Sequence, residues 1–153
     1  TVPPTLTFTP SLTPLPTWTA SITPSPISCT GNTNVDHGPL VFENNVMSME
    51  IYNNTGYRLT TAQIYVEWNH DTGHAGSDVT LRLRQILYNT QPWSGDVFAP
   101  SKFIDGYYPF IPAGTSKIEF VFNQGYDIID GTERIIITIG TPGCVNYPID
   151  SSK

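Results

Sequence analysis

The sequence predicts an all-β fold, a two-sheet antiparallel Greek-key sandwich with an extended N-terminal tail, and three observations predict it. From Ile27 onward apolar residues recur in short alternations, with no sustained 3.6-residue period that would support a helix. Clusters of Gly, Asn, Asp and Pro separate these alternations, as turns separate antiparallel strands. The 153 residues suffice for one domain of about 100–150 residues and an appendage, but not for a second domain.

The appendage is residues 1–26, TVPPTLTFTPSLTPLPTWTASITPSP, and the sandwich is residues 27–153. The tail holds half of the chain's 14 prolines and no charge; the first charged residue is Asp36. Its Thr-Pro repetition favours polyproline II, the composition of a semi-rigid linker open to O-glycosylation. Leu6, Phe8, Leu12, Leu15, Trp18 and Ile22 depart from that composition, because a linker has no need of large apolar groups. Proline lacks a backbone donor, so strand pairing is confined to the proline-free runs Thr5 to Thr9 and Thr17 to Thr23. Both runs alternate. Leu6 and Phe8 share one face of the first, and Trp18, Ala20 and Ile22 one face of the second, with Thr or Ser opposite, as in a half-buried strand.

In the sandwich, the predicted strands are Leu40 to Glu43, Val46 to Tyr52, Leu59 to Trp68, Val79 to Tyr88, Lys117 to Asn123 and Glu133 to Ile139, with weaker ones near Phe98 and Ile111. Alternate residues make apolar faces: Ile64, Val66 and Trp68; Val79, Leu81 and Leu83; Ile118, Phe120 and Phe122; Ile135, Ile137 and Ile139. Thr80, Arg82, Arg84 and Glu119 alternate outward, the pattern of antiparallel strands wet on one side. Turns are expected at Asn53-Asn54-Thr55-Gly56, Asp71-Thr72-Gly73, Pro112-Ala113-Gly114 and Asp130-Gly131-Thr132. Cys29 and Cys144 stand just before and just after this strand-like sequence. Paired, they close a loop worth about 5 kcal/mol in chain entropy; the alternative is two unrelated buried thiols. Their flanking placement, with no third cysteine, favours the disulfide and an oxidising compartment.

A family resemblance follows from several segments. Cys29 precedes the first strand, Ile64-Tyr65-Val66-Glu67-Trp68 forms a tryptophan strand, and Gln91-Pro92-Trp93-Ser94-Gly95 stands in a loop. Ile111-Pro112-Ala113-Gly114 leads into Ile118-Glu119-Phe120-Val121-Phe122, and Gly143-Cys144 closes the unit. On these residues, 27 to 148 resemble the immunoglobulin-like β-sandwich domains that follow Thr/Pro-rich linkers in secreted bacterial surface proteins. The resemblance implies fold and location. No antibody-like recognition role carries over, because the cysteines flank the strands instead of joining the sheets.

Charged residues make up only 13% of the chain, against about 25% in typical soluble domains. A net charge of −6 and a pI of 4.7 exclude a phosphate-binding footprint, and with it nucleic acid. No apolar run is long enough to span a membrane, and no signal segment stands at the start, so the chain reads as already processed. His70-Asp71-Thr72-Gly73-His74 places two imidazoles and a carboxylate in one loop, without the further ligands a zinc site needs, and His37 stands apart. Asp71, Asp78, Asp96, Asp105, Asp127 and Asp130 could offer oxygens to calcium, but they form no regular calcium loop and read as turn formers. No catalytic residue, metal site or cofactor is predicted. Nothing marks a carboxylate pair across a cleft or a base-activated nucleophile, and Gly76-Ser77-Asp78 lacks the context of a nucleophile elbow. Trp93, Phe98, Phe103, Tyr107, Tyr108 and Phe110 crowd one stretch. Burial accounts for most of them, and Trp93 with Tyr107 is the pair expected to be exposed if the domain stacks a sugar. Asn53-Asn54-Thr55 is an N-glycosylation sequon in a turn, with Asn53 as the acceptor.

These features predict a secreted, non-enzymatic structural subunit of an extracellular filament. Its tail, through Leu6, Phe8, Leu12, Trp18 and Ile22, completes or fills a neighbouring copy, a logic similar to that of donor-strand pilus subunits. The expected partners are copies of the chain itself, and glycans attached to the tail or bound as ligand. The alternative is a carbohydrate-binding or adhesive module carried on a Thr/Pro linker.

Overall fold

The computed structural model describes residues 1–2, 27–31, 34–69, 80–98 and 101–153. They form eleven strands and no helix: β1 (Val35–His37), β2 (Val41–Glu43), β3 (Val46–Asn53), β4 (Leu59–Glu67), β5 (Leu83–Tyr88), β6 (Trp93–Val97), β7 (Ser101–Phe103), β8 (Phe110–Ile111), β9 (Gly114–Phe122), β10 (Arg134–Ile139) and β11 (Pro148–Ser152). All pairings are antiparallel and make two sheets. One runs β1-β3-β9-β5-β6 with β2 also on β3; the other runs β11-β10-β4-β7 with β8 also on β4. β9 occupies one edge of β3 along its whole length, so β1 and β2 share the other and act as one interrupted edge strand. By the same logic β7 and β8 share the edge of β4 away from β10.

The sheets pack through the faces that alternation predicts. Met47, Met49, Ile51, Leu83, Ile86, Ile118, Phe120 and Phe122 of the first sheet meet Ile64, Val66, Ile135, Ile137 and Ile139 of the second, all essentially without solvent contact. Trp68, also fully buried, donates its Nε1–H to Leu81 O at 3.2 Å and meets Phe122 edge-on at 5.7 Å. Val79 lies outside the described residues. In β5 the register shifts between Leu83 and Gln85 against both β6 and β9. This bulge resets the alternation, so the inward series continues at Ile86 and Tyr88 instead of Gln85.

Three strands were not expected, β1, β7 and β11, and the weaker strand expected near Phe98 is β6, which ends just before that residue. Each is five residues or fewer and stands at a sheet edge. β6 is Trp-Ser-Gly-Asp-Val, whose Gly and Asp read as a turn; pairing Ile86 with Trp93 and Leu83 with Val97 makes it a strand. β11 opens on Pro148 and buries Ile149 and Ser151 alternately against β10. Cys144 is therefore not beyond the last strand, as its position in the sequence suggested. It sits in the turn between β10 and β11.

Register gives the sandwich two poles. The β3–β4, β5–β6, β8–β9 and β10–β11 turns lie at one end, the lower pole, and the β9–β10 crossover at the other. Cys29 and Cys144 are disulfide-bonded across a sequence separation of 115, with their Cα atoms 5.2 Å apart. The bond fixes the start of the sandwich to the lower pole. There Gly143, at φ 89°, lies so close to Ile27 that a Cβ would fall 2.1 Å from its carbonyl oxygen. Asn34 Nδ2 donates to Ser28 O and Thr30 O and holds the same segment. Lys153, at the other end of the chain, donates its N–H to Glu133 O at the upper pole.

Candidate functional site

The tail residues Leu6, Phe8, Leu12, Trp18 and Ile22 lie outside the described residues, as do His70, Asp71, His74 and Asp78. What is described is the point where the tail joins the sandwich. Residues 27–30 lie at the lower pole on the flank of β10 and β11. On this flank the sandwich is closed: Tyr147 donates its hydroxyl to Val35 O at 3.4 Å and Ser151 to Gly38 O at 3.3 Å, tying β11 to the neighbourhood of β1.

The opposite flank, between β5–β6 and β8, is closed by side chains. Phe110 turns its backbone away from β4 and toward the β5–β6 turn. Gln91 Oε1 accepts its N–H at 2.9 Å, and Asn89 Nδ2 donates to its carbonyl at 3.2 Å. Asn89 reaches this position from the left-handed region, φ 52°, which Asn tolerates better than most residues. Tyr107 fills the space behind, donating its hydroxyl to Gln91 O.

This arrangement overturns two of the sequence's site residues. Tyr107, expected to be exposed for stacking, is only 7% exposed, and burial pushes its phenol up to about 12. Trp93 is half-buried against the core, paired with buried Ile86, and its ring lies across Gly95, where a Cβ would fall 2.3 Å from it. The two rings therefore seal the flank and offer no joint platform. Their short edge strand and irregular loop hide which face is inward. In the stretch from Trp93 to Phe110 the exposed aromatics are instead Phe98, under Arg82, and Phe103 and Tyr108.

Asn53 is the third correction. The sequon's acceptor is 1% exposed, and its Nδ2 donates to Tyr57 O at 2.8 Å and to Pro112 O at 2.9 Å. Its Oδ1 accepts from Thr55 Oγ1 at 2.7 Å. A nitrogen so occupied has no room for a glycan. Asn53 instead ties the β3–β4 turn to the β8–β9 turn at the lower pole.

At the upper pole stands Glu133, a fully buried carboxylate that sequence reasoning did not single out. It accepts the backbone N–H groups of Asp130 at 3.1 Å and Gly131 at 2.9 Å and the Tyr126 hydroxyl at 3.3 Å. Tyr126 in turn accepts the N–H of Asn69 at 2.8 Å, and burial raises its pKa. The Asp-Gly-Thr-Glu spacing is the only sequence signal: Asp130 makes an Asx turn onto Thr132, and Glu133 holds the same loop from within. These acids order the crossover. Among the described residues no group of three His, Cys, Asp or Glu converges to hold a metal, and no helix is long and apolar enough to cross a membrane. Of the exposed ion pairs, Arg134 engages Asp150 through two nitrogens, which lowers the Asp150 pKa. No family model matches this chain, and neither a curated protein nor a solved structure matches it.

Proposed function

We propose that the chain is a structural subunit of an extracellular filament, assembled when its N-terminal tail docks onto a neighbouring subunit. One observation carries the reading. Residues 27–30, which follow residues 1–26 in the chain, are bonded through Cys29 to the lower pole. Subunits linked through a tail rooted at one pole make a head-to-tail, heterologous contact, which continues as an open filament unless its rotation closes a ring. At about 3.1 Å per residue in polyproline II, residues 1–26 reach roughly 80 Å, against about 35–40 Å for the diameter of the sandwich. A neighbour is within that reach. Trp18 is the principal anchor in this reading, Phe8 the second, with Leu6, Leu12 and Ile22 contributing apolar area.

The disulfide is consistent with an extracellular environment. The finer likeness to an immunoglobulin-type Greek key is supported by the pairing of β3 with β9 in one sheet and β4 with β10 in the other, joined by the β3–β4 and β9–β10 crossings. We read no catalytic role: both cysteines are bonded, and Glu133, the buried carboxylate, holds a loop. Electron microscopy and light scattering of the full chain test the proposal. Filaments are expected, and a monodisperse monomer at every concentration would remove it.

A further inference from the structure

A cleft of about 410 Å³ opens at the lower pole, on the flank opposite the root of the tail, between Arg58, the Asn89-Thr90-Gln91 turn, Phe110 and Pro112. Its chemistry differs from that of three other clefts in the same molecule. Those are lined by Glu67, Glu133 and Asp150, by Glu50, and by Asp36 and Asp150, whereas among the described residues this one has no carboxylate in its wall. In a chain of net charge −6 such a wall is the exception.

The cation in it is held and unspent. Arg58 lies over the Phe110 ring, its Cζ 4.0 Å from the centroid. Arg82, Arg84, Lys102, Lys117 and Arg134 each pair with a carboxylate, but among the described residues none lies within ion-pair distance of Arg58. Arg58 is also the sole charged side chain in the segments around the cleft, 53–59, 88–92 and 107–116. Stacking a guanidinium on a ring leaves its in-plane N–H groups available, and that planar fork matches a carboxylate. Beside it, Gln91 has its Oε1 committed to the Phe110 N–H, so its amide NH₂ is the group left to donate. Thr90 adds a hydroxyl.

We propose that this cleft binds the carboxylate of an acidic sugar, a hexuronate unit of a polysaccharide. The volume falls within the range of about 300–1,000 Å³ usual for small-ligand sites. The lining chooses between carboxylate sources. A protein carboxylate brings methylenes beside its charge, whereas a uronate brings hydroxyls, and amide and hydroxyl groups around the guanidinium reward the hydroxyls. The anchoring of Asn89 and Gln91 on the Phe110 backbone fixes that lining before any ligand arrives. The inference does not depend on whether the chain polymerises.

The test is an NMR titration of the full chain, in solution or, for filaments, by magic-angle spinning, with a galacturonate trimer, alongside a neutral galactose trimer and a short glutamate-rich peptide. The uronate is expected to shift the Arg58 and Gln91 side-chain signals. Arg58→Gln should weaken it about tenfold or more, and Arg58→Lys should weaken it less, because the charge survives without the fork. Arg58 is exposed, and unchanged signals elsewhere establish that each variant is folded. An equal response to the neutral trimer overturns the carboxylate assignment, and tighter binding of the peptide overturns the sugar. No response to the uronate at about 10 mM overturns the site itself.

Discussion

Asn53 illustrates how a short motif acquires a different meaning once folded. One amide supplies donors to the carbonyls of Tyr57 and Pro112 and an acceptor to Thr55, all at a pole where turns from both sheets meet. Asn53→Ala leaves those carbonyls without a donor, and the expected loss is about 1–3 kcal/mol in urea unfolding. Protein made in a glycosylating host should show Asn53 unmodified by mass spectrometry; a glycan there would contradict its burial. The buried phenols make a second prediction. Tyr88 and Tyr107 are both pushed up to about 12, burial being the main cause. A phenol whose folded pKa exceeds its unfolded value of about 10 favours the folded state while it remains protonated. That contribution is complete below about pH 10 and is lost as pH rises through about 12. The urea midpoint should therefore fall across this window. Exposed tyrosines such as Tyr57 and Tyr108 add their own absorbance, so the check is the part of the phenolate signal that Tyr88→Phe and Tyr107→Phe remove: it should appear only as the protein unfolds, and its appearance near pH 10 in the folded protein would mean both rings are open to solvent.

Among the strands, the long central ones carry the stability and the short edges carry the shape. β4 and β10 supply Ile64, Val66, Ile135, Ile137 and Ile139, and Trp68 just beyond β4 begins a run of rings through Phe122 and Tyr126 to Phe42. Trp68→Ala removes the largest fully buried side chain, opening a cavity and stranding Leu81 O, and should cost about 3–5 kcal/mol. Retention of wild-type stability in that variant would mean the ring contributes no packing. The central strands were readable in advance because alternation over six to nine residues is a property of the chain itself. Of the edge strands, β2 and, more weakly, β6 and β8 were legible, but β1, β7 and β11 were not, since three to five residues carry too few alternations to stand out. β6 and β11 become strands only through the neighbours that supply their hydrogen bonds.

For the molecule as a whole, the proposed assembly starts from residues 27–30, which Cys29 bonds to the lower pole. If assembly runs through the tail, deleting residues 1–26 should leave a folded monomer, because the disulfide and both sheets lie within 27–153. Trp18→Ser should weaken assembly without changing the melting temperature. Filaments of native dimensions from the truncated chain would show that the tail is only a linker. The carboxylate-free cleft at Arg58 is a separate matter, and its binding should survive the truncation.

The sequence alone determined the fold class, the inward faces of the central strands and the pairing of Cys29 with Cys144. Each follows from local periodicity or from having two cysteines and no third, information that lies along the chain. Tertiary structure alone decided that Asn53 and Tyr107 are buried, that β11 follows Cys144, that Glu133 is an internal loop anchor and that Arg58 faces no carboxylate among the described residues. These depend on partners far along the chain, such as Val35, 112 residues from Tyr147. Hydrogen bonding and burial are set by which turns meet at a pole, and no local pattern encodes that meeting.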